Sequence, residues 1–276
     1  MENGGKKTIG IFDSGLGGLY IAGAIRNALP EYDYVYLGDT LNVPYGGRSS
    51  ESILALSRAG MRYLIEKCNC EIVIVACNTA SVAAVRTLQR EFLPKEHPEK
   101  RILSVVVPTL EVAIEHGSKK IGLIATEYTI RSNVYEEEIS KITPKARIFG
   151  LPTPLLVPLI EHSGEKYLDM VLQDYLVHLL AEKIDCLILG CTHYVALKDR
   201  IRRLTDNKVD LLSQDDIIPP KLKDYLARHP EIENKLSKNG RFSIMATDLN
   251  SGFMKNINKF MGQEHTPAQK AVYPFS

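Results

Sequence analysis

Apolar positions along this chain fall mostly in short unbroken runs. Each run is followed by a longer stretch in which apolar residues recur every three or four positions. The runs predict strands at 7–12, 33–38, 71–76, 102–107, 119–125, 146–150, 185–190, 208–212 and 242–246. The periodic stretches predict amphipathic helices at 16–28, 49–68, 79–92, 129–141, 165–183, 194–204 and 250–261. Strands apolar on both faces, alternating with helices, belong in parallel sheets covered by helices, so the predicted class is α/β. The segment QEHTPAQKAVYPFS (263–276) loses the periodicity and reads as a mobile or loosely docked end.

The pattern also repeats. KKTIGIFDS (6–14) matches KKIGLIATE (119–127), and EIVIVACNT (71–79) matches IDCLILGCT (184–192). Asp13 stands 77 − 13 = 64 residues before Cys77, and Thr126 stands 191 − 126 = 65 residues before Cys191. Two copies of one strand–helix–strand unit fit this spacing, each ending a strand on a cysteine. The repeat predicts two similar lobes, each a mainly parallel sheet flanked by helices, related by a pseudo-two-fold internal repeat with the active site between them. The first lobe is expected over 1–103 plus 208–276 and the second over 104–207. LPKEHPEKR (93–101) reads as the first crossing, with a return near 205–210. Ligands of open α/β sheets bind beyond the carboxyl ends of strands, where both cysteines stand.

Composition acts by exclusion. The 276 residues are 45% hydrophobic and 24% charged with a formal net charge of +1, which leaves no electrostatic footprint for nucleic acid or a membrane surface. MENGGKKTIGIF lacks the apolar core of a signal peptide, and no apolar stretch approaches the roughly 20 residues that span a bilayer. The expected location is the cytoplasm. There the five cysteines (Cys68, Cys70, Cys77, Cys186 and Cys191) are expected as thiols rather than as a disulfide framework. Cys68 and Cys70, a C-x-C with no second pair or His cluster, read as packing residues, and no metal site is expected.

The chemistry lies in VIVACNTAS (73–81) and LILGCTHYV (187–195). A lone cysteine closing a buried strand is ordinarily a small core hydrophobe. Two at matching places in a repeat, each followed by hydroxyl or amide side chains and a helix, point to function. A helix N-terminus stabilises a thiolate, so these thiols are expected to have pKa values lowered toward neutrality and to exchange protons near pH 7. The adjoining backbone N–H groups and the side chains of Asn78, Thr79 and Thr192 can hold a carboxylate. Nucleophilic catalysis needs one thiol, a base and an oxyanion hole, and leaves a second thiol idle. Inverting a stereocentre needs one group to take a proton from one face of a carbon and another to deliver a proton to the opposite face. A duplicated scaffold facing inward supplies that geometry, provided that water is excluded and the carbanion is stabilised electrostatically.

GIFDSGLGG (10–18), PYG (44–46), ACNTAS (76–81) and GCTHY (190–194) resemble, in order, the signature segments of the glutamate racemases, within the aspartate/glutamate racemase superfamily. The resemblance runs from about 8 to 262. It implies a cofactor-independent two-base interconversion of L- and D-glutamate, the D-enantiomer being used in building peptidoglycan. Carried over by position, Cys77 and Cys191 are the acid/base thiols. Asp13–Ser14, Pro44–Tyr45–Gly46, Asn78–Thr79 and Thr192–His193 contact substrate, with Thr126 and Thr129 on the second-lobe rim. It implies no cofactor, glutamate as the small-molecule partner, and admits a homodimer. Members regulated by a cell-wall precursor often carry an N-terminal extension, and this chain is expected to lack one. Three departures stand out: Val195 where the family usually has Pro, Ala125 in place of Gly before Thr126, and Gln214 where a Ser-Ala pair usually follows the strand at 208–212.

Other residues carry alternatives. The Gly-rich turn after Asp13 suggests a dinucleotide site with Asp39 as the ribose acid, but Gly15 and Gly17 are followed by Tyr20 rather than a third glycine, and an acid beside a pyrophosphate is repulsive. Asp13 is either a cap of the helix at 16–28 or the group that receives the substrate ammonium or assists deprotonation. His193 is either structural or poises the Cys191 thiol. It also discriminates against aspartate racemases, which resemble GCTE here. Glu161 is the expected acid beside His193, with Glu165 as the alternative. Tyr45 is either loop packing or part of a turn presenting N–H groups to a carboxylate. Competing functions are another racemase of the superfamily, such as an aspartate racemase, a one-thiol decarboxylase, or a non-enzymatic amino-acid-binding module with no use for paired thiols.

Overall fold

The unbroken apolar runs become strands buried on both faces, as parallel pairing under helices requires. The computed structural model describes residues 5, 7–249, 251–261 and 267–273. Its strands are β1 (Thr8–Asp13), β2 (Tyr34–Gly38), β3 (Cys70–Val75), β4 (Arg101–Ser104), β5 (Lys120–Ala125), β6 (Arg147–Pro152), β7 (Cys186–Gly190), β8 (Asp210–Leu212), β9 (Phe242–Ala246) and β10 (Gln269–Lys270). Among the described residues they form a six-stranded sheet, β10-β9-β2-β1-β3-β4, and a four-stranded sheet, β6-β5-β7-β8, with every pair parallel. The order β2-β1-β3-β4 recurs as β6-β5-β7-β8, so the internal similarity read from the chain is a similarity of sheets. Cys77 follows β3, and Cys191 follows its counterpart β7.

Pairing sets where the chain crosses between the sheets. Residues 93–96 are helical and β4 lies beside β3, so the first sheet runs to Ser104, one residue past the 103 expected. β8 pairs with β7 through Cys186↔Asp210 and Ile188↔Leu212, so the second unit runs through Leu212 rather than ending at 207. Two long helices outside the expected set make the joint. Val106–Glu115 begins within a β-branched run that reads as strand, and Gln214–Arg228 contains Pro219 and Pro220, which ordinarily break helices. The second of these packs on the helix at Gly18–Ala28 and on Val106–Glu115, bracing the two sheets against each other.

The expected end segment is docked in part. β10 pairs with β9, Ala271 donates its N–H to Ala246 O at 2.8 Å, and Tyr273 is buried with its ring 5.1 Å from that of Tyr63. Residues 262–266 and 274–276 of the expected tail region, and residue 250 of the expected last helix, lie outside the described residues. At the amino end of the first sheet, Glu71 is wholly buried among Lys100 (2.8 Å), Lys235 (2.6 Å) and Lys7 (3.2 Å), charges that compensate its burial. No helix among the described residues is long and apolar enough to cross a membrane.

Candidate active site

Each cysteine is delivered by the same local device, an apolar strand that runs out beneath a helix start. Cys77 closes β3 and caps a helical run over 78–96 that includes π-type turns at Ser81–Val85 and Leu88–Phe92. Its Sγ accepts the Ala80 N–H at 3.4 Å and lies 3.3 Å from Ser14 Oγ. Cys191 closes β7 ahead of a 3₁₀ turn at Thr192–Leu197, with its Sγ 3.8 Å from His193 Nδ1. His193 Nε2 in turn meets Glu161 Oε1 at 2.7 Å. Glu165 instead pairs with Lys259 at 3.0 Å, which settles the alternative in favour of Glu161 as the neighbour of His193.

The electrostatics differ from those expected of helix-start thiols. Burial pushes the Cys77 thiol up to about 12, the Asp13 carboxylate and Cys191 add to the rise, and Ser14 and the Ala80 N–H only partly oppose it. The expectation of a lowered pKa fails here because one weak N–H contact cannot offset removal from water. That Cys191 acts on Cys77 places the two sulfurs within electrostatic reach of each other. For His193, burial alone favours the neutral ring, but the hydrogen bonds and charges of Cys191 and Glu161 outweigh it and raise the imidazole to about 10. Glu161 is held below the usual carboxylate range: its partial burial pulls upward, and the His193 hydrogen bond and charge overcome it. The raised value describes an imidazolium held between the Glu161 carboxylate and the Cys191 sulfur, so the charged ring is favoured where negative charge stands on that sulfur.

Asp13 lies where the first helix start meets the second unit. Fully buried, it accepts the Gly15 N–H at 3.0 Å and is also stabilised by the Gly18 N–H, so it does cap the helix start. Its other oxygen is 3.4 Å from Thr192 Oγ1 in the second unit. Burial raises its pKa, while His193, the two N–H groups and Thr192 pull the other way. Asp39 accepts hydrogen bonds from Tyr45 Oη (2.6 Å), Thr247 Oγ1 (2.9 Å) and Asn42 Nδ2 (2.9 Å), a knot that ties the PYG turn to β9 and does not suit a ribose. Tyr45 is thereby buried with its hydroxyl committed, Pro44 is exposed, and Gly46 sits so near the second unit that a Cβ would lie 3.1 Å from Thr126 Cβ.

Thr79, Thr126 and Thr129 meet across the two units: Thr79 Oγ1 lies 2.9 Å from Thr126 Oγ1, and Thr126 Oγ1 lies 3.0 Å from Thr129 Oγ1. Thr126 also caps the helix Glu127–Arg131 by accepting the Thr129 N–H at 3.3 Å. Three hydroxyls gathered beside a helix start make a suitable cradle for a carboxylate. An open cleft of about 450 Å³ lies alongside, lined by Gly46, Arg48, Ser50, Tyr128 and Arg131, with Tyr128 Oη donating to Ser50 Oγ at 2.9 Å. The Asn78 side chain is turned to Gln214 and to Tyr135, a residue that the chain pattern does not mark. Glu66, Glu96 and His97 approach one another as metal ligands would, but at the surface, with both carboxylates already paired with Arg62 and His97 paired with Glu66.

Two buried thiols at equivalent ends of a repeated sheet, with a charged His–Glu pair behind one of them, suit proton transfer on opposite faces of one carbon. The family model for Asp/Glu/hydantoin racemases matches residues 21–214. The chain belongs to that family. Among its relatives, glutamate racemase of Aquifex aeolicus is 36% identical over 266 residues, 94% of this chain and 96% of that protein. Among solved structures, glutamate racemase isoform RacE1 from Bacillus anthracis superposes with a TM-score of 0.86 at 28% identity, covering 96% of this chain and 97% of that one. Glutamate racemase from Francisella tularensis, solved in complex with D-glutamate, gives 0.85 at 28% identity, covering 97% and 98%.

Proposed function

We propose that this chain interconverts L- and D-glutamate without a cofactor, by two-base proton transfer between Cys77, Cα of the substrate and Cys191. The observation that carries the reading is the equivalence of the two thiols: each ends the same strand of a repeated sheet, and each is buried within electrostatic reach of the other. One sulfur, as thiolate, takes the Cα proton. The S–H bond forms, the C–H bond breaks, and its electron pair is left on Cα and spread into the adjoining carboxylate. The other thiol gives its proton to the opposite face, so that a new C–H bond forms and a thiolate is left behind. Proton exchange with solvent resets the pair.

Around this step, Thr79, Thr126, Thr129 and the helix start at Asn78 hold a carboxylate, where their donors stabilise the developing enediolate. Asp13 faces the ammonium, and Ser14 orients the Cys77 sulfur. His193, charged and backed by Glu161, stabilises the negative sulfur of Cys191. Tyr45 and Gly46 close the rim. The reading places the enzyme in the cytoplasm, supplying D-glutamate for peptidoglycan. Glutamate is preferred to aspartate because His193 stands where aspartate racemases carry an acid, and because the named relatives are glutamate racemases.

The test is chiral analysis of purified protein incubated with L-glutamate or L-aspartate and no added cofactor. Glutamate should racemise, and Cys77→Ala and Cys191→Ala should each abolish turnover while keeping the parent's melting temperature within a few degrees. Aspartate kcat/KM equal to or above that for glutamate, or near-parent turnover in either variant, contradicts the reading.

A further inference from the structure

Asn78, the residue after Cys77, has its side-chain amide locked into a buried pair that crosses between the two sheets. Its Nδ2 donates to Gln214 Oε1 at 2.8 Å, and its Oδ1 accepts from Gln214 Nε2 at 2.7 Å and from Tyr135 Oη at 2.7 Å. Asn78, Gln214 and Tyr135 are each at most 2% exposed. Gln214 opens the helix that braces the two units, directly after β8, and Tyr135 belongs to the helix Val134–Ile142 of the second unit. Tyr135 also lies within electrostatic reach of Cys191. The three groups therefore occupy the joint behind both sulfurs.

We infer that Gln214 is a positioning residue for proton transfer: through its two-bond contact with Asn78 it fixes where the Cys77 helix start, and with it the Cys77 sulfur, stands relative to the second unit. A thiol that must meet Cα on one face tolerates little displacement, and misplacement of about 1 Å costs on the order of 100-fold in rate. Neutral paired amides serve here without adding a charge near the thiols, whose protonation would respond to one.

The inference rests on the two-thiol reading, and its test separates the two. Gln214→Ala should lower kcat/KM for both enantiomers equally, by roughly 10- to 100-fold, because the enantiomers are equal in energy and the ratio of the two kcat/KM values is fixed. Most of the loss should fall on kcat rather than KM. With α-deuterated glutamate, the primary isotope effect should rise only for the enantiomer whose proton Cys77 takes, since only that abstraction is misaligned. For the other enantiomer the solvent isotope effect should rise instead. Tyr135→Phe, which keeps the ring and removes one of the three bonds, should show the same asymmetry at smaller amplitude, and it carries the test if Gln214→Ala does not fold. A kcat/KM within twofold of the parent overturns the inference. So does a lowered melting temperature with isotope effects unchanged or raised equally for both enantiomers, as a purely structural role would give. A parent that does not racemise glutamate counts against the two-thiol reading instead.

Discussion

Replacing Glu161 with glutamine removes a negative charge from behind His193 while keeping an oxygen for Nε2. The parent contact is a 2.7 Å hydrogen bond between a carboxylate side chain 27% exposed and an imidazole side chain 9% exposed, so it is only partly screened. A hydrogen bond to a charged partner contributes about 1.5–3 kcal/mol and a neutral one about 0.5–1.5. The substitution therefore costs the imidazolium about 1–1.5 kcal/mol, which at about 1.4 kcal/mol per pH unit moves His193 down by about one unit. The sign follows from charge: losing the anion disfavours the protonated ring. If His193 must be charged to stabilise the Cys191 sulfur, the basic limb of kcat/KM stands at about 10 in the parent and at about 9 in Glu161→Gln. The assay is polarimetric or circular-dichroism rates with L-glutamate from pH 6 to 11. A basic limb that stays put, or moves up, refutes the role given to Glu161. Stability should follow the same linkage. The raised His193 contributes fully below its ordinary value of 6.5 and loses that contribution as pH rises through about 10. The parent's advantage in melting temperature over Glu161→Gln should accordingly shrink between about pH 9 and pH 10 and be lost above that.

Two further outcomes follow from the geometry. Gly17→Ala would place a Cβ 2.3 Å from Thr192 Oγ1 and 2.8 Å from the His193 backbone nitrogen, so it should wedge the two units apart and lower kcat/KM by more than roughly tenfold with the secondary structure kept, as read by steady-state kinetics and far-UV circular dichroism. With the Cys77 thiol pushed up to about 12, its alkylation should rise about tenfold per pH unit from pH 7 to 11, where a free thiol levels off near 8.5. Saturating D-glutamate should slow alkylation of Cys77 and Cys191 together, and protection of one alone contradicts a shared substrate.

Much of this fold is legible in the chain because its strands are unbroken apolar runs, and burial between helices leaves them no other place. The thiols are legible because a repeat puts them at matching strand ends. What the chain hides is either local ambiguity or contact at a distance. Val105 to Val107 has the side chains of a strand, yet it opens a helix. β8 is three residues long and polar at its start, so its sheet is decided only by pairing with β7. Gln214 meets Asn78 across 136 positions, and nothing around it in the chain announces a buried amide. The Cys77 pKa runs against its local signal for a related reason: a helix start is a local feature, but the depth of burial that outweighs it is a property of the whole packing.

Two-base transfer is tested most directly by running the first few per cent of the reaction in deuterated water and analysing both enantiomers by mass. Because one sulfur takes the substrate's proton and a different, solvent-equilibrated sulfur supplies the new one, the product enantiomer should carry deuterium at Cα from the first turnovers while the remaining substrate stays protiated. This should hold from L-glutamate and from D-glutamate alike. Product that retains the substrate's own proton, or substrate that gains deuterium as fast as product forms, would mean that a single base serves both faces, and the assignment of Cys77 and Cys191 as opposed acid and base would fail.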